Sequence, residues 1–322
     1  MNAHELMALE SIKGVGNKSL IKIVDFMQKE DLNTVLQIAN YANSKFGPQN
    51  KFFLPKVHNI LANDDLKDII DKFKQKYSDL ENDGITVVCY GETSYPQKLI
   101  QLDNPPALLY CRGNVSLLNR PETVAVVGTR ESSERGEVVA RRTVEFLSES
   151  GFVTVSGLAL GIDKQAHISA LRSGMETIAV LTDIEKIKPS SNTTLANEIL
   201  QKGGLLVSEN PPNSEIFPAL FVKRDRIQAG LALAVFAIET SEDGGTMHAV
   251  KSAQSLGRLV YVPDAKSAGY PDLTAKEIMG TQLLVNSGVA VAYTKENYSE
   301  ILHSLKEAIR NRTAIMKVDK LS

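Results

Sequence analysis

The sequence is short of cysteine, of uninterrupted apolar runs and of any excess of one charge sign. Its two cysteines, Cys89 and Cys111, have no metal-ligand spacing and need not pair in a reducing compartment. Both sit beside apolar residues and read as buried structural thiols. No apolar run is long enough to cross a bilayer, which takes about 20 residues. The opening MNAHELMALESIK lacks the apolar core of a secretory signal. These absences predict a cytoplasmic protein with no membrane association. Lys and Arg number 36 against 38 Asp and Glu, a net charge of −2, so the chain is not a globally basic nucleic-acid binder. Any polyanion site must be a local patch assembled by folding.

Catalytic signatures are equally sparse. Neither G-x-G-x-x-G nor a P-loop occurs, which disfavours a dinucleotide or a magnesium-bound nucleotide. No cofactor is expected. Five histidines occur, and no carboxylate–histidine cluster suggests a metal. His167 reads as a packing or capping residue. His248 follows a glycine-rich loop but has no evident nucleophile partner. A non-enzymatic protein is expected.

The 322 residues, 43% of them hydrophobic, suffice for two domains with a sizeable core. Over residues 1–82 apolar positions recur at helical spacing, as in Leu20, Ile23 and Val24, with a break at Gly14-Val15-Gly16. This predicts a small all-helical N-terminal domain, with a loop from Phe46 to Pro55. Residues 83–122 read as a connecting segment packed on the core. From 123 to 296 short apolar runs alternate with helical stretches. The strands are predicted at 123–128, 152–156, 177–182, 205–208, 232–238, 259–262 and 289–292. Helices are predicted at 133–149, 163–173, 192–201, 218–229, 245–256 and 273–279. Continuous rather than alternating apolar strands mean that both sheet faces are covered. Strand–helix repetition then gives an α/β, doubly wound, mostly parallel sheet of Rossmann-like type. Residues 297–322 read as a final helix, over 297–312, and a frayed tail.

Ligands of such sheets bind beyond the carboxyl ends of the strands. Three loops there are rich in glycine and hydroxyls, and each opens a helix. They are Gly128-Thr129-Arg130, the run Ser156-Gly157 to Gly161-Ile162-Asp163-Lys164, and Gly244-Gly245-Thr246. Helix N-termini offer unpaired backbone N–H groups and partial positive charge, which suits phosphate. Glycine also occurs in such loops merely to turn the chain. A basic run, Phe221-Val222-Lys223-Arg224-Asp225-Arg226, opens the helix after the fourth core strand. Its cations can contact several phosphates, or pair with Asp225 or a neighbouring carboxylate. At helical spacing they cannot all serve one surface.

These stretches, in this order, resemble the DprA/Smf family of bacterial DNA-processing proteins. The resemblance is carried by VAVVGTR (124–130), VSGLALGIDKQAH (155–167), PSSN (189–192), SEN-PP (208–212), FVKRDRIQAGL (221–231), EDGGTMHAVKSA (242–253), GRLVYVP (257–263) and GTQLLVNSG (280–288). Upstream, YPQKLIQLDNPPALLYCRGN (95–114) is similar to the family's approach to the core. LESIKGVGNKSLIKIV is similar to its helix-hairpin-helix-like turn. The resemblance implies a homodimer that coats and protects incoming single-stranded DNA and helps load a RecA-type recombinase during transformation. It places the phosphates against the Arg130 loop, the SGLALGID loop and the basic run, with Asn192 and Lys188 beside them. Phe217 and Phe221 are the nearest aromatics for base stacking. Loss of both Arg130 and Arg224 side chains is then expected to weaken DNA binding without lowering the melting temperature.

The sequence departs from the family in places. The usual R-N-R reads Arg224-Asp225-Arg226, which puts a carboxylate in the DNA patch. Lys188 stands where a tyrosine commonly precedes the proline, and Ser190 and Ser191 follow it where some relatives carry a basic residue. The winged-helix domain at the C-terminus of many relatives is expected to be absent. Gly244-Gly245-Thr246 is also similar to the phosphate loop of nucleoside-monophosphate phosphoribohydrolases, but Met247-His248-Ala249 follow where those enzymes place a glutamate. A non-catalytic nucleotide sensor remains the main alternative, with the hydrolase behind it.

Overall fold

The computed structural model describes residues 2–38 and 66–318; the loop expected between Phe46 and Pro55 lies outside the described residues. Two compact units emerge. One holds the chain up to Tyr95 with Asp103–Arg112, the other Pro96–Leu102 with everything from Gly113 onward.

In the first unit, α1 (Ala3–Glu10) and α2 (Asn17–Lys29) flank a turn in which Gly14 adopts φ +92°, a conformation that glycine tolerates without a Cβ clash. Leu20, Ile23, Val24 and Met27 repeat every three to four residues and are all buried, which gives α2 one apolar face. Helix α3 (Leu66–Asn82) packs on α1. Strands β1 (Ile85–Cys89) and β2 (Leu108–Gly113) pair antiparallel, Val87 opposite Tyr110. Cys89 and Cys111 are free and buried within this pair, and burial pushes both thiols well up.

The second unit is the parallel core. After the one-turn α4 (Gln97–Ile100) come β3 (Thr123–Val127), α5 (Glu134–Glu149), β4 (Val153–Ser156), α6 (Ile162–Arg172), β5 (Thr177–Val180), α7 (Thr193–Gln201) and β6 (Leu205–Ser208). Then follow α8 (Pro218–Leu231), β7 (Ala234–Ala237), α9 (Thr246–Ser255), β8 (Leu259–Pro263), α10 (Lys276–Asn286), β9 (Val291–Tyr293) and α11 (Tyr298–Val318). Within this unit the strands run β6-β5-β4-β3-β7-β8-β9, all parallel. The order reverses between β3 and β7, the switch point at which doubly wound sheets bind ligands. Val124 and Val126 of β3 join Val139, Val144 and Leu147 of α5 and Ile162 and Ala166 of α6 in one cluster. Helices α8 and α9 pack on one another. Every residue of β3 to β7 is buried, Thr154 and Ser156 of β4 included, so both faces of the sheet are covered.

Two predicted elements shift. The helix expected over 273–279 spans Lys276–Asn286. Its start is delayed because Asp272 Oδ1 accepts from both the backbone N–H and the hydroxyl of Thr274, holding a turn there. It also passes through Gly280, whose sequence signal is that of a breaker. A Cβ at that position would fall 2.4 Å from the Ser241 carbonyl oxygen, so the glycine serves close approach to the loop after β7. The final helix runs past 312 to Val318.

Candidate functional site

The loops after β3 and β4 are stitched together. Ile162 N–H donates to the Thr129 carbonyl at 3.2 Å and Thr129 N–H to the Glu239 carbonyl at 2.8 Å. Gly161 opens α6 at φ +68°, and a Cβ there would fall 2.4 Å from the Thr129 oxygen. A Cβ at Gly128 would meet the Ile162 side chain at 2.5 Å. These glycines therefore bring two helix-opening loops into contact.

The loop after β4 is held from below. Ser156 Oγ donates to the Val126 carbonyl at 2.7 Å. Asp163 Oδ2 accepts from the N–H groups of Gly157 (3.2 Å) and Ala159 (3.5 Å). Asn192 Nδ2 donates to the carbonyls of Leu158 (2.9 Å) and Ala159 (3.2 Å). Ser156, Gly157, Gly161 and Asn192 shape this loop and do not line the cleft above it.

That cleft, of about 550 Å³, is lined by the loops after β3 and β7, by Asp163 and by one side of α8. Of the sequence-predicted site residues it brings together Gly128, Thr129, Arg130, Asp163, Phe221, Arg224, Gly244, Gly245 and Thr246. Gly245 and Thr246 form the N-terminus of α9. Arg130 is exposed, with Cζ 5.3 Å from the centroid of the Phe221 ring, an arrangement that suits a cation–π contact. Lys164 and Lys188 are exposed elsewhere and do not line it.

The basic run corrects the simplest expectation. Arg224 is 5% exposed and does not present its guanidinium to solvent. Nη1 lies 3.1 Å from Asp225 Oδ1, and Nη2 lies 3.7 Å from Asp163 Oδ2 and donates to the Gly157 carbonyl at 3.2 Å. Arg226 Nη2 and Lys223 Nζ both reach Glu209 Oε2, at 2.6 and 3.3 Å. Two carboxylates thus flank Arg224, and a third takes both of its neighbours. Burial and pairing of Arg224 replace the expectation that its loss leaves the melting temperature unchanged with the expectation that its loss destabilises the fold. Among the described residues that line the cleft, Arg130 is the exposed cation.

Burial dominates the titration of this floor. It pushes Asp225 up to about 6 against the opposing pull of Arg224, and it raises Asp163. His167 is fully buried, with Nδ1 2.8 Å from Thr177 Oγ1. Burial and the nearby Arg224 charge push it down to about 3, so it is a neutral packing residue. His248 is exposed and outside the cleft lining. Sequence reasoning missed Glu209, Gln228 and Glu239. Glu239 accepts from Ser133 N–H at 3.0 Å and Ser133 Oγ at 2.5 Å, at the start of α5. Glu209 directly follows β6 and Glu239 lies two residues beyond the end of β7, and a carboxylate so close to a strand's carboxyl end is the signal that could have marked them.

A parallel, doubly wound sheet with a polar, glycine-lined cleft where the strand order reverses defines a Rossmann-like ligand-binding protein. The chain belongs to the family of DNA recombination-mediator protein A, whose model matches residues 86–306. It is 30% identical over 281 residues to DNA processing protein DprA of Streptococcus pneumoniae, covering 85% of this chain and 92% of that protein. It is 30% identical over 272 residues to Protein Smf of Borreliella burgdorferi, covering 82% and 80%. Among solved structures, that of the Streptococcus pneumoniae protein superposes with TM-score 0.73 at 27% identity, over 92% of this chain and 96% of that one. DNA processing protein A of Helicobacter pylori, described for its unique single-stranded-DNA binding mode, gives TM-score 0.60 at 27% identity, over 69% and 96%.

Proposed function

We propose that this chain binds single-stranded DNA in the cleft beyond β3 and β7, protects the strand and helps load a RecA-type recombinase onto it. It would do so in the cytoplasm, as a homodimer and without catalysing a reaction. The observation that carries this reading is Arg130, an exposed guanidinium over the Phe221 ring, beside the N-terminus of α9 in one cleft. A phosphate contact and an aromatic face side by side suit a strand held by its backbone, with a base against the ring. Family membership supports a role in DNA processing, and the Helicobacter pylori relative supports the single strand as ligand.

Fluorescence anisotropy with a labelled dT oligonucleotide tests this, at several salt concentrations and with duplex and mononucleotide competitors. Salt-sensitive binding that prefers the single strand is expected. No binding at low salt would sink the reading. A cleft of about 550 Å³ also has the size of a small-molecule site. A mononucleotide that outcompetes the oligonucleotide would make the protein a nucleotide sensor instead.

A further inference from the structure

The floor of the cleft holds two carboxylates and one guanidinium, all withdrawn from water. The side chains of Asp163 and Arg224 are each 6% exposed and that of Asp225 is 16% exposed. With both carboxylates ionised this cluster carries one net negative charge; with one proton it is neutral. Carboxylates that share a poorly solvated site and a single cation favour holding a proton between them.

The hydrogen bonds favour Asp225 over Asp163 as the site of that proton. Asp163 accepts from two backbone N–H groups, those of Gly157 and Ala159, and such donors favour an ionised carboxylate. Asp225 accepts from the Gln228 side-chain amide at 2.9 Å and is the more open of the two to the cleft that both line. The other charged groups around it come from the loop after β3, which contributes Arg130 and Glu131, and from α6, which contributes Asp163 and the neutral His167. The loop after β7 and the start of α9 line the cleft with Thr240, Ser241, Gly244, Gly245, Thr246 and Ala249, all uncharged.

We propose that the cleft takes up a proton on Asp225 when it binds a polyanionic strand, so that this carboxylate makes DNA affinity depend on pH. The proposal rests on the single-stranded-DNA reading above. A phosphate entering beside Arg130 adds negative charge next to Asp225 and disfavours its ionised form further. Burial already pushes that group up to about 6, within reach of neutral pH. Protonation lets Arg224 balance Asp163 alone and removes the repulsion between Asp225 and the strand.

The test is dT-oligonucleotide affinity from about pH 5.5 to about pH 8, for the wild-type chain and for Asp225→Asn, with circular dichroism and melting curves confirming that the variant folds. The variant is expected to bind about tenfold more tightly than wild type near pH 8 and equally near pH 5.5, as proton linkage at one site requires. Parallel pH profiles would overturn the linkage. A measurement on the unaltered protein gives an independent reading. Calorimetric titration near pH 7 in buffers of different protonation enthalpy should show net proton uptake on DNA binding, and zero uptake refutes the proposal. If neither protein binds the oligonucleotide at any pH, the DNA reading itself falls, an outcome distinct from binding without linkage.

Discussion

A Cβ on Gly157 would fall 1.7 Å from Nη1 of Arg224, so the guanidinium occupies the space that any other residue at 157 would need. Gly157→Ala should therefore displace Arg224 from Asp163 and Asp225. Overpacking of this kind typically costs about 1–3 kcal/mol. Arg224→Ala should cost more, on the order of 3–5 kcal/mol, because it leaves buried carboxylates without their cation. Denaturant unfolding measures both, and a midpoint unchanged in Arg224→Ala would contradict the buried-network account.

Arg130 gives the opposite pattern. Its side chain is exposed, so Arg130→Ala should leave the melting temperature within about a degree of wild type, as surface substitutions usually do. The same change should weaken oligonucleotide binding and reduce the slope of log affinity against log salt by roughly one phosphate contact. An unaltered salt slope would move the strand off this residue.

Lys223 is also exposed, yet its ammonium lies 3.3 Å from Glu209. Lys223→Ala is expected to weaken DNA binding less than Arg130→Ala, because a paired cation must first leave its carboxylate. Equal losses in the two variants would show that the Glu209 contact does not hold in solution.

Asp225 and stability are linked with a definite sign. A carboxylate raised from 3.8 to about 6 binds more protons folded than unfolded between those values. Its contribution therefore falls as pH rises through that window, by on the order of 3 kcal/mol at most. Asp225→Asn should gain stability relative to wild type from about pH 4 to about pH 6.5 and then level off. Unfolding free energies of both proteins across that range check it; a difference that shrinks with rising pH has the wrong sign.

His167 works in reverse. Pushed down to about 3, it stays neutral in the fold while the unfolded chain takes up a proton below about 6.5. Its contribution is present at neutral pH and is lost as pH falls toward 3. Nitrogen chemical shifts of the ring should report neutral imidazole at pH 5, and a charged ring there would refute this.

Most of the parallel core is legible in the sequence because burial on both sheet faces leaves unbroken runs such as Thr123–Val127 and Ala234–Ala237. The rule that ligands sit beyond strand ends located the cleft from Gly128-Thr129-Arg130 and Gly244-Gly245-Thr246. The state of the cations was less legible. Arg224 is claimed by Asp163 on another helix, and Arg226 by Glu209 beyond another strand. Those partners are 61 and 17 positions away, and only the folded chain brings them together. Gly280 shows the same limit, since its reason lies in the backbone of Thr240 and Ser241.

The shared oxygen of Glu209 bears on how a strand would be weighed by salt. Lys223 and Arg226 already have a counter-charge supplied by the protein. A strand whose phosphates recruit both exchanges one anion for another, and the carboxylate left behind then draws a cation from solution. The sodium or potassium ions shed by the nucleic acid are then partly taken back by the protein. Counting the ions released would undercount the side chains that touch the strand.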